Sequence, residues 1–589
     1  MLNVELEKGK QNDGPDPHHE HAKKSYGVQK VEILNKQYSS LANKAMIFVS
    51  IFLMAYVYRL DAMVRKTFTA HVINSYRTHS LISTVGVVRS VSAAASMPIY
   101  SRLSDAVGRI ELIVCAVVLY VIGTIVCSQA TDVTRYAAGM ILYQFGLSGL
   151  AILFKIISAD FSSLNWRLFC TLVSASPYII NTWISGNVAS TIGVKHWSWG
   201  IGMWAIWLPI ATLPLVCCFL HMTYRAKRNG DWKELKALEG RSFKALLKFI
   251  WEDLDIIGVL SFTLILGLIL TPFTLAGGEH RKWKTARVIV PLVLGFVMIP
   301  VFIVWERKFA AKPICPEKLF KKKSVIVGLC IGVLIDFVWQ IQGEYLYTIL
   351  VVAVNESVRS ATRINSLYSF STTISGLIVG LIVVYVRRLK FFIIGGTCIW
   401  MIALGIMVKY RGGLSSHGGV IAGQVLLGVG SGLFTHSTQA LLQALVSHEV
   451  MSTVTMLYSA SYYVGSAIGS SISGAVWTQA LPHQINKRIA NATIAKMAYK
   501  APLSFIVKNK WGTPGREALV EAYRHVQKIL IVISLCFCVP IVCLAVLLDD
   551  PVLENVQAKE DTESEYESDT ATTATTATTT TTTAGVSKL

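Results

Sequence analysis

The stretch Ser101-Arg-Leu-Ser-Asp-Ala-Val-Gly-Arg-Ile-Glu111 separates two long apolar runs, 79–100 and 110–128. A bilayer core of about 30 Å needs roughly 20 apolar residues per helix, so both runs are long enough to cross it. An acid at a helix end can pair with cationic groups of a neighbouring helix, and such a pair can open and close as a latch. The stretch therefore predicts a hairpin of two membrane helices joined by a gating connection.

The composition of the whole chain supports a membrane protein. Of the 589 residues, 53% are apolar and only 15% are charged, and the mean hydropathy is +0.51. A soluble globular protein has roughly a quarter of its residues charged, so that class is excluded. The net charge of +20 does not indicate nucleic-acid binding, because the basic residues interrupt apolar runs and do not form a patch.

The common nucleotide-binding and hydrolase motifs do not occur in the sequence. We therefore expect no enzymatic activity and no cofactor, and any uphill transport must draw on an ion gradient. Cys536, Cys538 and Cys543 fit no zinc pattern and are expected to pack as small apolar residues. The cluster His18-His19-Glu-His21 lies in a polar tail, so no metal site is expected there either.

Fourteen apolar runs are long enough to cross a bilayer. An even number places both termini on one side, and the excess of Lys and Arg in loops such as 221–251 and 306–324 predicts that this side is the cytosol. The predicted spans are 45–63, 79–100, 110–128, 134–157, 167–189, 199–220, 254–275, 287–306, 325–350, 364–386, 391–408, 418–440, 452–479 and 529–548.

The order of loops and runs divides the chain into six, two and six predicted spans. The two terminal tails are polar, and the second is acidic and then Thr-rich, so both are expected to be disordered in the cytosol. The predicted segments are the tail 1–44, the first half 45–220, a cytosolic linker 221–253, two extra spans 254–306, the second half 307–548 with an outer loop 480–528, and the tail 549–589.

Ionisable residues inside predicted spans are candidates for function because a bilayer tolerates them poorly. Asp61 and Arg65, four residues apart at the outer end of the first span, form either an interfacial salt bridge or part of a proton path. Arg89 lies in the middle of its span and is expected to line a cavity. Lys155 lies nearer the inner end and either lines the cavity or extends to the interface.

The ninth span carries a polar stripe, since Asp336, Gln340, Gly343 and Tyr347 recur at intervals of three and four. Glu344 flanks this stripe. A carboxylate in a cavity of low dielectric binds a proton more readily, and a nearby cation or substrate shifts it towards ionisation. We expect Asp336 or Glu344 to carry a coupled proton, with simple solvation as the alternative for Glu344.

The connection 101–111 resembles the signature GxLaDrxGrk of the major facilitator superfamily. Leu103, Asp105, Gly108 and Arg109 match, whereas Ser101, Ala106 and Ile110 do not, and the fourth span has Met140 where many relatives carry an arginine. The resemblance implies an all-helical transporter that alternates access to a central cavity between two halves. The inner-gate residues it implies are Asp105, Gly108 and Arg109.

Four further stretches resemble the fungal siderophore–iron transporter family. They are Asp160-Phe-Ser-Ser-Leu-Asn-Trp-Arg-Leu-Phe169, Trp197-Ser-Trp-Gly-Ile-Gly-Met-Trp-Ala205, Tyr345-Leu-Tyr-Thr-Ile-Leu350 and Gly512-Thr-Pro-Gly-Arg-Glu-Ala-Leu-Val-Glu-Ala-Tyr523. The resemblance implies a proton symporter that imports intact ferric siderophores, mostly hydroxamates, so the iron arrives already enclosed by its ligand. The yeast branch of the family also contains glutathione–proton exchangers, and some relatives carry haem.

Aromatic and amide side chains suit a large chelate, because they offer contact area and a polar tip together. Tyr458 and Tyr462 share a helical face with the small residues Gly465 and Gly469, which also suits plain helix packing. The loop 480–528 is longer than a simple connection needs and is expected to close the outer vestibule. The substrate candidates are Trp183, Trp339, Gln340, Tyr345, Tyr347, Tyr458 and Tyr462, and the lid candidates are Tyr499, Phe505, Trp511 and Tyr523.

The sequence thus predicts a proton-coupled importer of ferric siderophores that works as a monomer in the plasma membrane or in an endosomal or vacuolar membrane. A glutathione–proton exchanger on the same scaffold is the first alternative, and it should favour cationic cavity groups such as Arg89 over aromatic ones. A haem transporter and a nutrient sensor that binds without transport are the remaining alternatives.

Overall fold

A computed structural model of the chain describes residues 26–553, except 39, 163, 233–254, 277–282, 311–312, 314–316 and 447. The predicted tail 549–589, the linker 221–253 and the cluster His18-His19-Glu-His21 lie largely or wholly outside these residues. Within the described part, every regular element is a helix. The chain therefore satisfies its backbone groups internally, as a lipid environment requires.

The first half of the chain contains nine helices among its described residues. Short 3₁₀ turns at His79–Leu81 and Val194–His196 precede two of them. The helices are α1 (Tyr26–Gln37), α2 (Leu41–Ser75), α3 (Ile82–Ala106), α4 (Arg109–Ser128), α5 (Val133–Asp160), α6 (Leu164–Val173), α7 (Pro177–Ile192), α8 (Trp197–Gly202) and α9 (Trp204–Asn229).

The remaining described helices follow the linker. A 3₁₀ turn at Leu414–Ser416 precedes α17. The helices are α10 (Ile256–Ala276), α11 (Ala286–Lys308), α12 (Glu317–Phe320), α13 (Lys323–Gly343), α14 (Leu346–Val352), α15 (Val358–Val386), α16 (Lys390–Lys409), α17 (His417–Ala444), α18 (His448–Arg488), α19 (Ala492–Lys500), α20 (Pro502–Lys508) and α21 (Pro514–Leu547).

Twelve stretches of the described residues are long and apolar enough to cross a membrane. Two predicted spans are not among them. The run 167–189 is divided into α6 and α7 by a break at 174–176, and the run 452–479 lies in α18, whose many Ser and Tyr residues lower its hydropathy. Helices α7 and α18 pack among other helices, so their polar side chains can face protein.

The two halves meet along two helix pairs. α3 packs against α18, and α7 packs against α15. Helix α10 lies against both α3 and α18, whereas α11 packs mainly on α10 and exposes apolar side chains such as Val290, Val293 and Phe296. Such a surface is suited to lipid. The central interface is therefore built by α2, α3, α7, α13, α15 and α18.

The first membrane helix is longer than the sequence predicted. The expected span was 45–63, but α2 continues to Ser75, so Asp61 lies near its middle and not at its outer end. The run of polar residues Asp61, Arg65 and Lys66 ends the hydropathy signal without ending the helix, because these side chains face the protein interior. Likewise, α21 begins at Pro514, well before the predicted start at 529.

Candidate functional site

Two adjoining cavities occupy the interface between the halves. The larger has a volume of about 320 Å³ and the smaller about 50 Å³. Lys66, Thr69, Arg89 and Met140 line both, so the cavities meet at these residues. The larger is also lined by Ala62, Arg65, Ser90, Tyr143, Gln144, Leu147, Tyr178, Asp336, Trp339, Gln340, Tyr463 and Ser466, and the smaller by Ala70, Ile82, Val85, Gly86, Glu344, Tyr347 and Thr348.

Two cations of the first half face two carboxylates of the second half in these cavities. Lys66 on α2 and Arg89 on α3 lie close enough to Asp336 and Glu344 to interact with them electrostatically. None of the ion pairs closer than 4.0 Å between described side chains joins these four groups. The carboxylates therefore feel positive charge without being held in a fixed bridge, so a proton or a cargo group can change their state.

Glu344 lies at a break between two helices. α13 ends at Gly343 and α14 begins at Leu346, so the backbone turns away at this point. Ser470 on α18 donates a hydrogen bond of 3.0 Å to Oε2 of Glu344. On the other side Gly86 of α3 gives the carboxylate room, since a Cβ atom at Gly86 would lie only 2.6 Å from Oε1. The side chain thus connects both halves at the small cavity.

Asp336 lies on the wall of the larger cavity with Ser90 and Ser466. The two hydroxyl oxygens of these serines are 2.8 Å apart and link α3 to α18. Gln340, one turn beyond Asp336, lines the same cavity. The predicted stripe on the ninth span therefore faces the interface at Asp336 and Gln340, while Gly343 marks the helix end.

Aromatic side chains form the second component of the cavity wall. Trp339 stacks on Tyr368 with ring centroids 3.7 Å apart and planes inclined by 20°. The ammonium nitrogen of Lys66 lies 5.7 Å from the Trp339 ring centroid, within the range of a cation–π interaction. The cavity thus offers a flat apolar surface directly beside positive charge.

Asp61 and Arg65 form a buried pair. Nε of Arg65 donates to Oδ1 of Asp61 at 3.0 Å, and Nη2 donates to Oδ2 at 3.1 Å. Tyr120 donates a further hydrogen bond to Asp61, and Thr124 accepts one from Arg65 at 3.1 Å. The guanidinium also lies 3.9 Å from the Tyr143 ring centroid. The interfacial salt bridge considered from sequence is therefore excluded, and only Arg65 of this pair reaches the cavity.

The side chains of Tyr345 and Tyr347 contact different parts of the protein. The hydroxyl oxygen of Tyr347 is 2.9 Å from Nε2 of His71 on α2, and this contact joins the halves at the small cavity. Tyr345 is buried and stacks on Trp477 with centroids 3.9 Å apart. It does not line either cavity described above.

Three other candidates lie outside the walls of the two cavities. Tyr458 is buried, donates to the carbonyl oxygen of Thr435 at 2.9 Å and contacts the hydroxyl of Tyr462 at 3.3 Å. Trp183 is 49% exposed and packs edge-on against Phe370. These contacts support packing roles for the three aromatic side chains.

Lys155 contacts the second half of the protein. Its ammonium donates to the hydroxyl of Ser459 on α18 at 3.5 Å, so the side chain crosses from the first half to the second.

The gating connection is held by polar contacts on one side of the first half. Arg109 donates to Oδ2 of Asp160 at 3.1 Å and to the carbonyl oxygen of Ser104, while Lys30 on α1 pairs with Glu111. Gly108 has a φ of +124°, and a Cβ atom added at this position would contact the Glu111 carboxylate. The side chain of Asp105 lies outside the described part of the chain.

The predicted outer loop 480–528 is largely helical, since α18 continues to Arg488 and α21 begins at Pro514. Between them, the two short helices α19 and α20 form the part that we call the lid, at the end of the molecule away from the gating connection. Asn74 at the end of α2 accepts a hydrogen bond from the Leu503 nitrogen at 3.1 Å and donates to the Ser504 hydroxyl at 2.9 Å. Phe505 is buried here, and Tyr499 is partly buried against the core. The segment therefore joins the second half to the first.

The other two lid candidates lie further along the chain. Tyr523 is buried within α21, where its ring meets Trp477 edge-on with centroids 5.1 Å apart. Trp511 is 37% exposed, and the guanidinium carbon of Arg516 lies 5.5 Å from its ring centroid.

Sequence reasoning missed several residues that line the cavities or contact residues of their walls. Lys66, His71 and Tyr143 belong to helices already assigned, but Lys66 and His71 follow the predicted end of the first span at 63. Tyr368 and Ser466 carry no charge that would single them out in an apolar run. Extending the predicted first span beyond residue 63 would have identified Lys66 as a further ionisable residue inside a membrane helix.

The sequence is similar to those of known fungal transporters. Residues 32–538 match the model of a family described as fungal trichothecene efflux pump (TRI12). Siderophore iron transporter 1 of Saccharomyces cerevisiae is 46% identical over 542 residues, which cover 91% of this chain and 86% of that protein. Siderophore iron transporter mirC of Emericella nidulans is 32% identical over 541 residues, covering 91% and 89%.

The fold also has solved counterparts. A bacterial homologue of the human lysosomal transporter Spinster, in an inward-facing and occupied conformation, superposes with a TM-score of 0.52 at 12% identity, covering 86% of this chain and 97% of that one. This likeness concerns the fold alone. The chain is a multi-pass membrane transporter and not an enzyme, and it belongs to the fungal siderophore iron transporter family of the major facilitator superfamily.

Proposed function

We propose that the protein imports ferric hydroxamate-type siderophores and couples their entry to protons. The observation that carries this proposal is the pair of adjoining central cavities, in which Trp339, stacked on Tyr368, lies with two carboxylates and two cations in a chain that is 46% identical to a siderophore iron transporter. A large and mostly apolar chelate with outward oxygen atoms fits such a wall, because aromatic rings supply area and polar groups orient it.

Fourteen membrane spans in a 6+2+6 order, with both termini in the cytosol, complete the proposed architecture. Helices α7 and α18 pack between helices that are themselves apolar enough to span, which supports counting them as the two further spans. The basic connections support the orientation. The gate around Arg109 then faces the cytosol, and the lid α19–α20 faces outward.

In the proposed transport cycle, the carboxylates receive protons from the outer side. A neutral Glu344 or Asp336 leaves Lys66 and Arg89 without a counter-charge, and these cations can then attract oxygen atoms of the cargo. Release of the protons towards the inside restores the internal attraction and expels the cargo. Binding and protonation thus favour the same conformation, which is the requirement for coupling.

The lid and the inter-half contacts support alternating access. The Asn74–Leu503 and His71–Tyr347 hydrogen bonds close the end that we place outside. Opening on that side requires these bonds to break, while the inner end closes around the connection 101–111. Binding of the chelate to one protomer needs no second copy, so we propose a monomer in the plasma membrane or an endosomal or vacuolar membrane.

Uptake of an iron-55-labelled ferric trihydroxamate in yeast lacking its own siderophore importers tests the function. Cells expressing the protein should accumulate the label, and unlabelled chelate should compete. Absence of uptake by a protein that is present at the membrane would refute the proposal.

A glutathione–proton exchanger is the second candidate, and Lys66 and Arg89 favour it because they suit a small anionic peptide. External glutathione that enters and acidifies the medium by exchange for protons, without uptake of iron chelate, would establish this alternative.

A further inference from the structure

A second group of cations lies between the halves, on the side of the large cavity away from the lid. Arg59 on α2 lies seven residues before Lys66, and Ser459 on α18 lies seven residues before Ser466. Lys155 on α5 lies eleven residues after Gln144. Since an α-helix has 3.6 residues per turn, these three positions lie two or three turns from the cavity on the helix faces that line it.

The contacts of this group bring the halves together. Lys155 donates to Ser459 across the interface at 3.5 Å, and the neighbouring Tyr458 donates to the Thr435 carbonyl oxygen of α17. Arg59 donates to the Ser174 carbonyl oxygen at 2.6 Å, and its guanidinium lies 4.4 Å from the ring centroid of Tyr178. Tyr178 lines the large cavity, so Arg59 lies just behind the cavity wall.

No carboxylate of the described residues pairs with Arg59 or Lys155. Arg59 lies close enough to Lys155 to act on it electrostatically. Ion pairs within 4.0 Å between described side chains include neither of these two cations. The cations that line the two cavities, Lys66 and Arg89, by contrast have Asp336 and Glu344 nearby.

Cations without a counter-charge in a poorly solvated interface are costly unless a mobile anion joins them. We infer that Arg59 and Lys155 form a second binding subsite, which takes a carboxylate or another anionic oxygen group of the cargo on its way to the cytosol. This inference rests on the proposed function and adds a preference to it. Chelates that carry a free carboxylate should use the subsite, whereas neutral trihydroxamates should pass it with little interaction.

The test compares two labelled chelates, a neutral ferric trihydroxamate and a ferric citrate-based dihydroxamate with a free carboxylate. Lys155→Gln should raise the apparent KM for the second by about tenfold, equivalent to about 1.4 kcal/mol, and change that for the first less than about twofold. Lys155→Arg, which keeps the charge, should restore most of the affinity. Lys308→Gln, at an exposed lysine of α11, is the matched control and should leave both chelates unaffected.

The outcomes separate the two claims. Wild-type uptake of both chelates with an equal effect of Lys155→Gln on each would overturn the subsite and leave the proposed function standing. Wild-type uptake of the neutral chelate alone would also overturn the subsite. Uptake of neither chelate would overturn the proposed function together with the subsite. Thermal unfolding in detergent shows whether Lys155→Gln folds, and Arg59→Gln, with the same expected selectivity, provides an independent variant.

Discussion

Gly86 on α3 lies directly against the carboxylate of Glu344, and a Cβ atom at this glycine would approach Oε1 to 2.6 Å. The two residues belong to opposite halves of the protein, 258 positions apart in the chain. The glycine thus leaves space for an acidic group between the halves, at the point where the helix that carries this group breaks.

Gly86→Ala should therefore displace the Glu344 carboxylate from Ser470 and lower chelate uptake by about tenfold or more, because coupling groups lose efficiency when misplaced by about 1 Å. Initial rates of labelled chelate uptake measure the effect. Gly267→Ala on α10 is the control, since a Cβ there meets no atom within 4 Å. Equal uptake by the two variants would show that the Gly86 contact is unimportant.

The buried pair of Asp61 and Arg65 predicts a change in stability. Asp61→Asn leaves the guanidinium of Arg65 without its counter-charge in the interior, which typically costs about 3–5 kcal/mol. The thermal unfolding midpoint in detergent should fall markedly. The exposed pair of Asp132 and Arg135 supplies the control, because Asp132→Asn should cost at most about 1 kcal/mol. Similar midpoints for the two variants would contradict the assignment of the buried pair.

Arg411 supports the helix break from behind. It is buried, and both Nη1 and Nη2 donate to the Gln342 carbonyl oxygen at 3.0 Å, while Nη1 also donates to Gln527 at 2.8 Å. Burial lowers the pKa of Arg411 to about 9, so the guanidinium keeps its charge at neutral pH.

We expect Arg411→Gln to loosen the break and reduce uptake several-fold, because it leaves a buried carbonyl group short of a donor at a cost of about 1–3 kcal/mol. Uptake and unfolding are measured together, and Arg411→Lys should retain part of both. Arg388→Gln removes an exposed guanidinium that pairs with Asp550 and should behave as wild type. A fully active Arg411→Gln protein would remove the supporting role.

The sequence predicted much of the helix order but less of the site. Long apolar runs locate the helices, and Asp336 and Gln340, which the spacing on the ninth span puts on one face, line the same cavity. Hydropathy failed where polar residues face protein, as at Lys66, which follows the predicted end of its span. Which aromatic side chains line a cavity depends on helix rotation and on breaks such as that at Gly343. The spacing of Tyr345 and Tyr347 therefore could not predict that only Tyr347 lines a cavity.

The proposed orientation predicts N-glycosylation at Asn491. This residue is exposed at the start of α19, where its Oδ1 accepts hydrogen bonds from the nitrogens of Thr493 and Ile494 at 3.0 and 3.2 Å. The capping contacts use the oxygen only, so the side-chain nitrogen is available for a glycan in the sequence Asn491-Ala-Thr493. Endoglycosidase treatment should increase the electrophoretic mobility of the wild-type protein.

Asn491→Asp should reduce that mobility shift by one glycan while preserving the cap, because aspartate caps helices as well as asparagine does. The second acceptor sequence, Asn355-Glu-Ser357, lies on the same proposed side and accounts for any shift that remains. Thr493→Ser keeps the acceptor sequence and should retain the shift. A protein that shows no shift, with a lid region protected from external protease in intact cells, would place this loop in the cytosol and reverse the orientation.

Coupling in this account depends on Asp336 and Glu344, which take up protons from the outer side and release them inside, while Lys66 and Arg89 attract the cargo. The most direct measurement is accumulation of labelled ferric trihydroxamate in proteoliposomes, with and without a transmembrane pH difference that a protonophore can collapse. We predict accumulation above equilibrium only with the gradient, and its loss in the double variant Asp336→Asn and Glu344→Gln. Accumulation that persists after the gradient is collapsed, or in the double variant, would contradict the account.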